Sequence, residues 1–168
     1  MSLSMYDASA KTFQHSLGQL AFLLEKAAAD VATRKIDPAV LVQARLAPDM
    51  LPLAKQVQIA CDTAKLAVAR LTGQTAPPFE DTETTFEQLG ERIANTLAYI
   101  ASVPAAAFEG SEERPVTVGT GERARQFTGL PFLLHFALPN LFFHITTTYA
   151  ILRHNGVPLG KNDYLGKP

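Results

Sequence analysis

Apolar residues recur along this chain at three- and four-residue steps, the spacing of one helical face. Tyr6, Phe13, Leu17, Leu20, Leu24, Ala28 and Val31 form the first such stripe and predict a helix over Met5–Thr33. Ser4 and Asp7, three residues apart, have the form of a capping box at its start. Asp37-Pro38 places a cap before a proline and predicts a short helix over Ala39–Ala44. Leu53, Val57, Cys61, Ala64, Val68 and Leu71 mark a second long helix that starts between Pro48 and Pro52 and ends near Gly73. Pro77-Pro78 then breaks the chain. Thr84 with Glu87 reads as the capping box of a third helix, whose face is Phe86, Leu89, Ile93, Leu97 and Ile100. Val103-Pro104 ends it.

The pattern changes over Phe108–Gly129. The β-branched run Val116-Thr117-Val118, the turn-forming Gly119-Thr120-Gly121 and a return over Ala124–Phe127 predict a small two-stranded hairpin. A fourth long helix follows, with Pro131 in its first turn, a kink at Pro139 and a stop at His154-Asn155-Gly156. The tail from Val157 reads as irregular. Four amphipathic helices predict an all-α four-helix bundle in a single domain over residues 1–168, with a long link between helices 3 and 4.

Composition narrows the function classes. Hydrophobic residues make up 47% and charged residues 18% of 168 residues, which fits a packed core and not a disordered chain. The formal net charge is -1 and the basic residues are scattered, so no nucleic-acid surface is expected. Cys61 is the one cysteine, so an internal disulfide cannot form. The first residues lack the pattern of a signal peptide, and no run of about 18 uninterrupted apolar residues predicts a membrane span. A cytoplasmic protein is the expectation.

The candidate site lies in the fourth helix. Asn140 and His144 are four residues apart, so they share a face one turn apart. A polar pair in a greasy helix costs free energy unless it is satisfied or solvated. Thr147 and Ile151 continue the stripe, while Phe142, Ile145, Tyr149 and Leu152 occupy the other side. The bland alternative for the pair is interhelical hydrogen bonding or solvent exposure. Of the other histidines, His15 lies opposite the first stripe and His154 in a last turn, where it suits the helix dipole; the direction of His135 is left open. Zinc favours three or four Cys, His, Asp or Glu ligands. Gln58, Cys61 and Asp62 of the second helix and Asp7 of the first make a poor set, so no metal and no cofactor are expected. Cys61 falls on an apolar stripe and reads as an inert core thiol.

Several segments carry a family resemblance: Ser4-Met5-Tyr6-Asp7-Ala8, Ala44–Met50, Gln56-Val57-Gln58-Ile59-Ala60, Phe79-Glu80-Asp81-Thr82, Pro139-Asn140 with Phe143-His144, and Ile151–Gly156. They resemble a bacterial family of unknown function related to the DinB/YfiT-like four-helix bundles. That superfamily comprises metal-dependent enzymes by expectation, some of them thiol-dependent transferases or hydrolases. Its pattern is one histidine on helix 2 and a His-x-x-x-His pair on helix 4. Here His144 matches the second member of the pair, Asn140 stands in place of the first, and no histidine occurs between His15 and His135. The resemblance makes Gln58 the nearest equivalent of the helix 2 ligand. It implies the bundle fold and a degenerate metal site, with Gln58, Asn140 and His144 as ligand-binding residues for a small molecule. The alternatives are a metal-dependent hydrolase or thiol transferase with altered ligands around His144, and a structural dimer. A homodimer is expected because Phe22, Ile59 and Leu66 lie outside the core stripes and helix 4 has more apolar surface than one face needs.

Overall fold

The computed structural model describes residues 3–166. Its frame is four long helices: α1 (Thr12–Arg34), α3 (Leu53–Thr72), α4 (Phe86–Ser102) and α6 (Leu138–His154). Two short helices, α2 (Pro38–Val42) and α5 (Gly129–Phe132), lie between them, and α7 (Lys161–Leu165) follows. α3 packs on α6 along one flank and on α4 along the other, and α1 closes the bundle against α4. This is the four-helix architecture that the apolar stripes predict.

Each helix end has a local cause. Ser4 Oγ accepts the Asp7 N–H at 3.0 Å and donates to Asp7 Oδ2 at 2.6 Å, which caps the first helix. That helix enters through a wide π turn over Asp7–Lys11 before α1 proper. Asp37 caps α2 by accepting from the Ala39 N–H at 2.9 Å. α3 ends at Gly73, whose φ of 71° is the left-handed stop that glycine supplies most readily. The capping box of α4 is Thr85 with Gln88, one residue beyond the predicted pair Thr84 and Glu87. Gln88 Oε1 accepts from the backbone N–H of both Thr84 and Thr85, so the glutamine and not the glutamate closes the turn.

The link from α4 to the last long helix contains the predicted hairpin. β1 (Pro115–Val118) pairs antiparallel with β2 (Arg125–Thr128), with Val116 opposite Phe127. Val116 is buried, and the Phe127 ring packs on Phe132 and Phe136 at 6.1 and 5.8 Å. The hairpin thus lies against the bundle, which an isolated pair of strands needs for stability. Gly129 makes the junction possible: a Cβ there would sit 1.8 Å from the Ser111 carbonyl oxygen.

Residues Gly129–His154 form one 26-residue helical rod. A π turn over Leu133–Ala137 precedes Pro139. Proline has no N–H to give to the carbonyl four residues back and its ring crowds that carbonyl; the wide turn accommodates both. The rod is long and apolar enough to cross a membrane, and 39% of its most apolar stretch is buried inside the bundle. It stops at Asn155 and Gly156, the latter at φ 91°.

The tail differs from expectation. Residues predicted as irregular form α7, which docks on α1. Lys26 Nζ pairs with Asp163 at 3.0 Å, and the exposed His15 donates through Nε2 to the Leu165 carbonyl at 3.0 Å. Tyr164 packs edge-on against Tyr149 at 6.1 Å. Five residues are too few for a periodic signal, and these tertiary contacts hold the turn in place.

Candidate functional site

α3 and α6 run antiparallel, and their seam joins the predicted pair to two residues of α3. Asn140 Nδ2 donates to Thr63 Oγ1 at 2.8 Å. His144 Nδ1 lies 2.7 Å from Gln56 Oε1. The Gln56 amide is itself oriented, because its Nε2 donates to the Leu51 carbonyl at 2.9 Å. Its oxygen therefore faces the imidazole, so the hydrogen sits on Nδ1 of His144 and the lone pair on Nε2. Nε2 has no hydrogen-bond partner among the described residues. Burial pushes the His144 pKa below its ordinary value, which favours the neutral ring. The edge of Phe143 lies 5.2 Å away between ring centres. Thr147 and Thr148 satisfy their hydroxyls on the carbonyls of Phe143 and His144, at 2.7 and 3.0 Å.

Gln58 does not join this group, which corrects the expectation that it forms one ligand-binding set with Asn140 and His144. Two residues along a helix turn the side chain by about 200°. Gln56 therefore meets His144 while Gln58 turns to the α4 flank and donates to Glu83 Oε2 at 2.8 Å. Its Oε1 is buried without a partner among the described residues.

The α4 flank carries a second polar cluster that the sequence reading missed. Arg92, with its side chain 1% exposed, pairs with Asp62 at 3.1 Å, Asp81 at 3.0 Å and Glu83 at 3.0 Å. It also donates to the Glu80 carbonyl at 3.1 Å. Lys65 and Lys55 add pairs to Asp62 and Asp81, each at 2.9 Å. The Phe79 ring lies 4.0 Å from Lys65 Nζ and 5.6 Å from the Arg92 guanidinium. Burial raises the Asp81 pKa, but Lys55 and Arg92 outweigh it and hold the carboxyl below its ordinary value. Burial opposes the charge on Arg92, yet Glu83, Asp62 and Asp81 raise its pKa on balance. The signal in the sequence was register: Arg92 falls three residues after Leu89 and four before Thr96, on the inward side of α4.

Neither cluster fits a metal. Among the described residues, no group of three or more His, Cys, Asp or Glu side chains is placed to hold one. The seam has one imidazole among neutral amides and a hydroxyl, and the three carboxylates already surround a guanidinium. Cys61 is buried with its thiol pushed up to about 12, chiefly by burial and against a hydrogen bond with Thr96, so no thiolate is on offer. His135 and His154 are exposed and outside both clusters.

Comparison with known proteins agrees with this architecture. A crystal structure of a DinB family member protein from Shewanella denitrificans is 45% identical, with 98% of this chain and 93% of that chain covered and a TM-score of 0.91. No curated protein matches. The family model for the domain of unknown function DUF1993 matches residues 5–165. A chain matched over that length, with the helical frame of a DinB family member, belongs to the DUF1993 family.

Proposed function

We propose that this protein is a non-catalytic, small-ligand-binding bundle with a degenerate metal site, and that its ligand docks at the α3–α6 seam. The supporting observation is the donor set around His144. Its Nδ1 is engaged by a neutral amide at 2.7 Å, and the residue one turn away is an asparagine. A neutral imidazole offers one acceptor at Nε2, and Asn140 keeps its carbonyl oxygen. These valences suit a molecule that donates N–H or O–H groups. They do not suit zinc, which needs three or more imidazole, thiolate or carboxylate donors. Cys61 is a buried free thiol, and we place the protein in the cytoplasm.

The competing reading is a metal-dependent hydrolase or thiol transferase built on altered ligands around His144. Elemental analysis and zinc titration of the purified protein test the two. We expect substoichiometric metal and no saturable zinc binding in wild type and in His144→Ala alike. One metal per chain, lost in His144→Ala, overturns the proposal.

A homodimer is a second reading, favoured by the outer face of the Gly129–His154 rod. Leu130, Leu134, Phe142 and Phe143 are 41%, 46%, 39% and 55% exposed. No Asp, Glu, Lys or Arg occurs from Gln126 to Leu152 to solvate that face. Exposed apolar patches of this kind mark association surfaces. Ile59 and Leu66 no longer support it, because both are half-buried beside Val118 of the hairpin and Phe136. Light scattering at micromolar concentration should give a dimer mass that falls to a monomer in Phe143→Glu; a monomer mass for wild type defeats this reading.

A further inference from the structure

Beside the seam, α3, the hairpin and the rod line a small pocket of about 210 Å³ that is open to solvent on one side. Its walls are apolar: Leu66 from α3, Val118 from β1, and Phe132 and Phe136 from the rod. Phe132 and Phe136 are nearly parallel, 5.9 Å apart and inclined by 22°. Besides the carboxylate of Asp62, which is held in ion pairs with Lys65 and Arg92, polar groups enter at two places. Thr63 and Asn140 stand at one, already bonded to each other. Arg70 stands at the other, with its guanidinium 6.0 Å from the centre of the Phe132 ring.

Arg70 is half-buried and has no carboxylate partner among the described residues. Burial alone lowers its pKa; no neighbouring acid compensates it. The nearest acid of the pocket lining is Asp62, eight residues earlier on α3, or about 12 Å along the axis at 1.5 Å per residue. Asp62 is already paired with Lys65 at 2.9 Å and Arg92 at 3.1 Å. The last turn of α3 accounts for a cation at position 70, since the helix dipole favours one there. It does not use the fork of N–H donors, which matches a carboxylate in two parallel hydrogen bonds.

We infer that this pocket is a binding site for a small amphipathic monocarboxylate, with the acid group on Arg70 and an apolar or aromatic body against Leu66, Val118 and Phe136. The volume is below the range usual for drug-sized ligands and fits a compact body such as a single ring. The pocket lies beside the seam and shares only Asn140 with it, so the inference goes beyond the ligand-binding reading above and concerns a second, anionic ligand.

Calorimetric titration with phenylacetate, phenylacetamide and inorganic phosphate tests it. Phenylacetate should bind saturably and roughly ten- to a hundredfold more tightly than phenylacetamide, the margin of a charge-assisted hydrogen bond. Phosphate, lacking the apolar body, should bind more weakly than phenylacetate. Arg70→Gln should abolish the preference for acid over amide, and Arg70→Lys should keep part of it. Val118→Trp, which fills the pocket and leaves Arg70 in place, should abolish binding of both and covers the case in which Arg70→Gln does not fold. A purely dipole-stabilising Arg70 would lower stability in Arg70→Gln and leave the preference unchanged, which overturns the inference. No saturable phenylacetate binding, phosphate binding as tight as phenylacetate, or unaltered binding in Val118→Trp overturns it as well. Each of these failures leaves the zinc result intact. Stoichiometric zinc lost in His144→Ala, by contrast, strikes the wider reading and not the pocket.

Discussion

The two flanks of α3 solve the problem of buried polarity in opposite ways. Towards α4, charge is met by charge: Arg92 sits among Asp62, Asp81 and Glu83, and Lys55 and Lys65 attend two of the acids. That flank fastens the loop of Phe79, Asp81 and Glu83 to two helices. Towards α6, neutral groups meet neutral groups: Asn140 with Thr63, His144 with Gln56. A set of charges neutralised internally has little left to offer a ligand. A neutral seam retains an open imidazole nitrogen and an amide oxygen. The flank with more ionisable groups is thus the structural one, and the quieter flank carries the candidate site.

Substitutions can break this contrast. The largest effect is expected for Arg92→Met, which leaves three carboxylates facing one another without their central cation. Because Asp62 and Asp81 are 33% and 41% exposed, water screens part of the loss, and we expect about 2–4 kcal/mol in urea unfolding. A loss indistinguishable from a surface mutation would show that the cluster is ornamental. His144→Ala comes next. It deprives Gln56 Oε1 of its donor in a buried setting and should destabilise the protein by about 1–3 kcal/mol in a thermal melt. An unchanged melt would mean that the imidazole lines an open pocket and contributes no buried bond. Asn140→Ala touches a part-buried bond, and roughly 0.5–1.5 kcal/mol is expected; a larger loss than for His144→Ala would reverse the order within the seam.

The subtlest expectation concerns acid. Burial lowers the folded-state pKa of His144 below the ordinary 6.5. Above that value the ring is neutral both folded and unfolded. Below it the unfolded chain takes up the proton more readily, so stability falls as pH drops through the folded-state pKa. His144→Ala should flatten this part of the stability profile. Asp81 and Asp163, whose pKa values are lowered from 3.8, act in a separate and more acidic window and should be unaffected. A profile with the same slope in both proteins would locate the proton elsewhere.

Much of the frame was legible because long amphipathic stripes leave little freedom. The stops at Gly73 and Gly156 and the hairpin were readable from turn chemistry. What escaped notice depended on tertiary partners. Thr84 and Thr85 are both plausible caps, and only the seating of Gln88 decides between them. Gln56 and Gln58 cannot be ranked without knowing which side of α3 faces α6. Arg92, Asp62, Asp81 and Glu83 are scattered over thirty positions, and each alone reads as a solvated charge. The α7 turn is held by Lys26 and His15, more than a hundred residues away.

Cys61 gives the molecule a built-in clock. Its thiol sits at the middle of α3, fully buried, with its ionisation pushed up to about 12. A thiol reagent cannot react with it while the helices stay packed, because both access and the thiolate are withheld. Each labelling event therefore records an opening of the bundle. When reclosing outpaces the chemistry, the labelling rate divided by that of an unfolded peptide gives the equilibrium between open and closed forms. The sole cysteine of the chain thus lets the breathing of α3, the helix both flanks share, be timed without adding any probe.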